Sequence, residues 1–124
     1  MRLLLDSHTL VWWRAGSARL SAAARDAIID PANELLISIA ALWELTIKIS
    51  SGKLVLSADL ETTVREEGVL VLPVDFAHLA RLGTLPRLHR DPFDRMMIAQ
   101  ALAEGIPVAT VDRRFGAYGV QVVW

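Results

Sequence analysis

Four acidic residues sit where an α/β chain could use them for chemistry: Asp6, Glu44, Asp94 and Asp112. Asp6 ends the apolar run Leu3-Leu4-Leu5, and Asp112 ends Val108-Ala109-Thr110-Val111. In an open α/β sheet, ligands bind outside the carboxyl ends of the strands. If these two strands are parallel, both acids emerge at that edge. Each also has a plainer reading, as a turn or loop aspartate that caps the following segment. Two such acids on separate strands make the shared-site reading the stronger one.

Asp94 lies in Arg90-Asp91-Pro92-Phe93-Asp94-Arg95. Asp91 suits the N-cap of a helix, Pro92 its first position, and Asp94 its first turn, where a carboxylate complements the helix dipole. Asp94 also shares a stripe with Met97, Ile98 and Ala101 at helical spacing, on the side the core should receive. A carboxylate there is costly unless it meets a cation or strong donors. Asp91 therefore reads as a cap and Asp94 as a site residue. Glu44 is less clear. Leu42, Leu45 and Ile49 form the main apolar stripe of its helix, which leaves Glu44 and Lys48 opposite as an exposed i,i+4 ion pair.

Carboxylates gathered within a few ångströms raise one another's pKa values. A divalent cation removes that conflict, and an all-oxygen ligand set favours Mg²⁺ or Mn²⁺ over zinc. Such an ion activates water and stabilises a phosphoryl transition state. Basic side chains flank the acids: His89 and Arg90 before Asp91, Arg95 after Asp94, and Arg113 and Arg114 after Asp112. Each can be a solvated loop residue, but their clustering suggests phosphate contacts on a polyanionic substrate.

The elements that must position these residues follow from the pattern. Strands are expected at Leu3 to Leu5, Glu34 to Ile37, Val69 to Val74, Val108 to Val111 and Val120 to Val123. Helices are expected from Ala22 to Ile29 after Ser21, from Ile39 to Ser50 after Ser38, and to Glu66 after Ser57. Two more are expected from Phe76 to Arg81 and from Asp91 to Glu104, with Gly83 to Arg90 as loop. Strand–helix alternation predicts a single domain over residues 1–124, a three-layer α/β/α sandwich around a parallel sheet of four to five strands.

Composition narrows the classes. Apolar residues make up 53% of the 124, the net charge is −1 and cysteine is absent. Mean hydropathy is +0.38. This fits a sheet covered on both faces, with apolar surface left for a partner. No run approaches the ~20 apolar residues needed to span a bilayer, and Asp6 interrupts the first run before a signal-peptide core can form. A cytoplasmic location is the expectation. Thiolate metal sites and disulfides are excluded. There is no phosphate-binding glycine loop and no nucleophile elbow, and His8, His78 and His89 lack zinc-ligand spacing.

With those residues in hand, the chain resembles PIN-domain nucleases, and more narrowly the VapC-type toxins of bacterial toxin–antitoxin pairs. The resemblance rests on Leu3-Leu4-Leu5-Asp6-Ser7-His8, on Trp43-Glu44 leading to Lys48 and Gly52-Lys53-Leu54, on Arg90 to Arg95, and on Thr110-Val111-Asp112-Arg113-Arg114-Phe115. It implies an Mg²⁺- or Mn²⁺-dependent endoribonuclease with Asp6, Glu44, Asp94 and Asp112 as its acidic quartet. Thr110 matches a hydroxyl residue before the last acid, and Ser7 is a weaker helper. The resemblance thus promotes Glu44 over the surface ion pair that helical geometry gives it. It also implies homodimers, held in check by a small antitoxin whose C-terminal segment crosses the cleft; Trp12 and Trp13 are expected to help form its groove or a subunit contact. Two other classes fit an alternating chain: a phosphoacceptor receiver domain, with Asp75 after the third strand but no lysine beyond Lys53, and a PIN-like binding module without activity.

Overall fold

The computed structural model describes residues Met1–Trp124. Its strands are β1 (Arg2–Leu5), β2 (Glu34–Ser38), β3 (Leu70–Leu72), β4 (Val108–Ala109) and β5 (Val122–Val123). They form one fully parallel sheet in the order β3-β2-β1-β4-β5. The central strand explains the arrangement. Successive strand side chains point to opposite faces, yet Leu3, Leu4 and Leu5 are all fully buried. Both faces of the sheet are therefore covered, which is the three-layer α/β/α architecture. Burying each leucine stabilises the fold by roughly 2 kcal/mol.

From β1 the chain moves outward through β2 to β3, then crosses back over to β4 and β5 on the other side of β1. The strand order reverses between β1 and β4, and a crevice forms at their carboxyl ends. Asp6 follows β1 and Thr110 follows β4 at that point.

Seven helical segments complete the fold: α1 (Ser7–Ala15), α2 (Ala22–Ile29), α3 (Ile39–Ser50), α4 (Leu60–Glu66), α5 (Phe76–Thr84), α6 (Pro92–Glu104) and a 3-10 helix, Arg113–Tyr118. The cap residues Ser21, Ser38 and Asp91 act as the sequence predicts. Five segments differ. The stretch Val11 to Arg14 is helical, because Asp6 caps α1 by accepting from Thr9 N and Gly16 (φ 64°) closes it. Asp59 rather than Ser57 caps α4. Helix α5 runs to Thr84, through part of the expected loop, held at its start by a capping box between Asp75 and His78. The strands near Pro73 and Thr110 are shorter than their apolar runs. Thr110 lies just past the ladder, and its hydroxyl donates to Asp6.

One cluster of buried side chains joins β1, β2 and β4 to the helices, and Met97, Ile98 and Ala101 of α6 lie in it as their spacing predicts. No helix is long and apolar enough to cross a membrane.

Candidate metal centre

The two readings of Asp6 are both realised. Its Oδ1 caps α1, accepting from Thr9 N at 2.8 Å, and its Oδ2 accepts from the Thr110 hydroxyl across the crevice. The Thr9 hydroxyl lies 2.8 Å from Asp6 Oδ1 and 2.7 Å from the Ala109 carbonyl, so its single proton serves one or the other. The carboxylate is buried, and its orientation is fixed by contacts from β1, α1 and the end of β4 together.

Ser7, the next residue, donates to Glu44 Oε1 at 2.7 Å. This corrects the helical reading of Glu44. It is not an exposed partner of Lys48, whose Nζ stands 3.9 Å away, but is itself buried. The buried face of α3 runs through Ala40, Ala41, Glu44 and Leu45, while Ile47 and Ile49 face outward. Two small alanines mark the covered face and let neighbouring helices approach it; the larger residues suggested a different face. Helix α3 packs against both α1 and α6, which closes over Glu44.

Asp94 and Asp112 meet on a residue that sequence reasoning placed only among the flanking bases. His89 is buried, and its Nε2 lies 3.0 Å from Asp94 Oδ2 and 3.1 Å from Asp112 Oδ2. No local pattern joins residues 89 and 112; only the return of the chain to β4 brings them together. Asp91 caps α6 through Phe93 N and Asp94 N, as expected.

The electrostatics of the two acids differ. Burial pushes the Asp94 carboxyl up to about 7, and the charges of Asp91, Glu44 and Asp6 add to that against the opposing effect of His89. Burial also works against the Asp112 carboxylate, but hydrogen bonds from the Arg114 side chain and backbone, and from His89, hold it down at about 2. The ligating atoms of His89, Asp94 and Asp112 lie within 4.8 Å of one another. Asp6 and Glu44 stand outside that tight group, near enough to raise the Asp94 pKa.

A divalent cation fits this donor set. The acids offer oxygen ligands, and the one cationic or ring nitrogen at the Asp94 carboxylate is His89 Nε2, in charge contact at 3.0 Å. Burial, with the charges of Asp91, Glu44 and Asp6 adding to it, disfavours the charged form of Asp94, and a bound cation would offset both.

The arginines divide. Arg114 is a fork on Asp112, with Nε 3.0 Å from Oδ1 and Nη2 2.9 Å from Oδ2. Arg95 donates to the Pro86 carbonyl at 2.9 Å and the Tyr118 hydroxyl at 3.2 Å, which fixes the loop carrying His89. Arg90 and Arg113 are exposed. Arg90 borders two cavities: one of about 550 Å³ with Asp91, Asp94 and Arg114, and one of about 700 Å³ with Arg87 and Arg95. Trp12 and Trp13 are half-buried against the core. Trp12 meets Trp124 at 5.8 Å between ring centroids, and Trp13 Nε1 donates to Glu67 at 2.7 Å. An apolar groove lies between α3 and the start of α6, where Ile39, Trp43, Val74, Phe93 and Met96 enclose about 560 Å³. The receiver reading loses its candidate, since Asp75 is committed to capping α5.

Comparison with known proteins agrees with this geometry. Over 119 residues the chain is 31% identical to ribonuclease VapC22 of Mycobacterium tuberculosis, covering 94% of this chain and 91% of that one. The fold is similar to that in the crystal structure of VapBC2 from Rickettsia felis bound to a promoter DNA fragment (TM-score 0.71, 15% identity, 98% of this chain and 97% of that one). It is also similar to VapBC-1 of nontypeable Haemophilus influenzae (TM-score 0.67, 20% identity, 98% and 96%). The model of the PIN domain matches residues 3–120, and the chain belongs to the PIN-domain family.

Proposed function

We propose that this chain is a VapC-type toxin, an endoribonuclease that hydrolyses RNA phosphodiester bonds with Mg²⁺ or Mn²⁺. The carrying observation is the buried acidic crevice at the strand-order reversal, where Asp94 is pushed to about 7 by burial and by its acidic neighbours. In this reading Asp6, Glu44, Asp94 and Asp112 hold the ion, with Asp6 and Asp94 as the principal ligands. A cation bound there neutralises the carboxylates, offsets the charge of the phosphate and lowers the pKa of water.

The chain's own groups do the rest. Asp6, tied to Thr9 and Thr110, is a rigid oxygen donor at the crevice floor. Glu44, steadied by Ser7, orients the attacking water. Arg90 and Arg113 are free to meet phosphate; Arg95 and Arg114 assist by holding the His89 loop and Asp112. The whole chain acts as one nuclease domain in the cytoplasm.

The partners follow the same reading. The apolar groove of Ile39, Trp43, Phe93 and Met96 between α3 and α6 suits a small antitoxin whose end crosses the crevice, and the toxin itself is a homodimer. Light scattering of the free chain and of the chain with its co-expressed antitoxin measures both states.

RNA cleavage with and without Mg²⁺, comparing wild type with Asp94→Asn, tests the activity. Metal-dependent cleavage that the substitution abolishes supports it, and equal turnover in the variant removes Asp94 from the mechanism.

A further inference from the structure

His89 touches both Asp94 and Asp112, and the first question is whether it would donate a hydrogen bond or ligate a metal. Its other nitrogen answers that. His89 Nδ1 accepts a hydrogen bond from the Asp91 backbone N–H at 3.1 Å. A nitrogen that accepts an N–H carries no proton, so the ring proton sits on Nε2. That proton is donated to Asp112 Oδ2 at 3.1 Å, while Asp94 Oδ2 lies against the same nitrogen at 3.0 Å as a charge contact. Ligation through Nε2 would require the proton to move to Nδ1, where it would face the Asp91 N–H.

The ring is also held from outside. The His89 backbone N–H donates to the Tyr118 hydroxyl at 2.7 Å, and Leu88 N donates to the same oxygen at 3.0 Å. Phe115, fully buried, meets the imidazole edge-on at 6.5 Å. The residue is thus built in, with one ring edge fixed to the cap of α6 and the other presented to two carboxylates. Those carboxylates arrive on different elements, Asp94 on α6 and Asp112 at the start of the 3-10 helix.

We infer that His89 is a positioning residue of the metal centre: its Nε2–H holds Asp112 while the same ring edge rests against Asp94, so that the imidazole sets the distance between the two carboxylates without itself becoming a ligand. The inference rests on the nuclease reading for its purpose. Groups that hydrogen-bond metal-binding carboxylates commonly contribute 10- to 100-fold in metal affinity or activity.

Two substitutions separate the roles of the ring. Glutamine carries an N–H donor at about the reach of Nε2; asparagine keeps a polar atom near Nδ1 but leaves the carboxylates without their donor. Titration of the full chain with Mg²⁺ by calorimetry, without RNA, should show His89→Asn binding at least 10-fold more weakly than wild type. His89→Gln should stay within about threefold and recover most of the turnover lost in His89→Asn, with kcat affected more than KM. Equal losses in both variants, or no loss in either, overturn the assignment. In the wild-type chain, long-range ¹H–¹⁵N spectra should show the Nε2-protonated tautomer before and after Mg²⁺ addition. A ring protonated at Nδ1, or one that loses its Nε2 proton as metal is added, also overturns it. Neither the titration nor the spectrum depends on RNA cleavage. A chain that passes both but cuts no RNA refutes the nuclease reading and leaves His89 in place.

Discussion

Asp94 and Asp112 share one imidazole, yet one is pushed up to about 7 and the other is held down at about 2. The difference lies in what else reaches them. Asp112 receives the Arg114 fork and the Arg114 backbone N–H as well as His89. Asp94 has only the charge contact with His89 and faces the charges of Asp91, Glu44 and Asp6. Asp6, at the strand-end side of the crevice, resembles Asp112 in being supplied with donors. The crevice therefore has a side already satisfied by protein donors and a side that is electrostatically incomplete. A cation completes the second without rebuilding the first.

The sharpest way to break the contrast is Asp94→Asn. It should abolish metal-dependent RNA cleavage while leaving the circular dichroism spectrum unchanged. It should also stabilise the metal-free protein at pH 8, on the order of 1–2 kcal/mol after allowing for solvent screening, as read from urea unfolding. Asp6→Asn should likewise remove cleavage, but with the opposite effect on stability. It weakens a charge-assisted cap, costing about 1 kcal/mol, and a lower urea midpoint checks it.

Acidity tests the same contrast without mutation. In the folded chain Asp94 keeps its proton to a higher pH than in the unfolded chain, so the folded state binds more protons between about 4 and about 7. Stability of the metal-free protein should therefore fall as pH rises through that window. Mg²⁺ should raise the melting temperature more at pH 8 than at pH 5. For Asp112 the sign reverses: its contribution is present above the ordinary carboxylate pKa and is lost as pH falls through about 2. The smallest effect belongs to Arg114→Ala. The guanidinium is exposed, so the melting temperature should fall only slightly at pH 7, where the pair contributes fully, and the difference from wild type should vanish as pH falls toward 2.

Much of this was legible in the sequence because it is local. The three leucines before Asp6 announce a strand buried on both faces, and Asp91-Pro92 with Gly105 brackets α6. Asp94 could be assigned to the core side of its helix by spacing alone. Glu44 could not, because bulk misleads: the alanines of α3 face inward and the large side chains lie outside. Only resemblance to a family placed Glu44 in the site. His89 was missed as a structural element for a different reason. Its partners are separated from it by chain reversal at β4, and nothing in the residues around it encodes that distance. The first helix carries no apolar stripe that would mark it, because its buried residues are Ser7 and Thr9 beside Leu10.

The hydroxyl of Thr110 that closes on Asp6 joins residues 104 positions apart. Contacts of such separation form only after the intervening chain has been made and ordered. On the ribosome, a chain lacking β4 has Asp6 at the head of α1 but neither the strand that walls the crevice nor Asp112. The residues that complete the crevice are therefore among the last to be made, so the two walls of the site come together only when β4 docks beside β1.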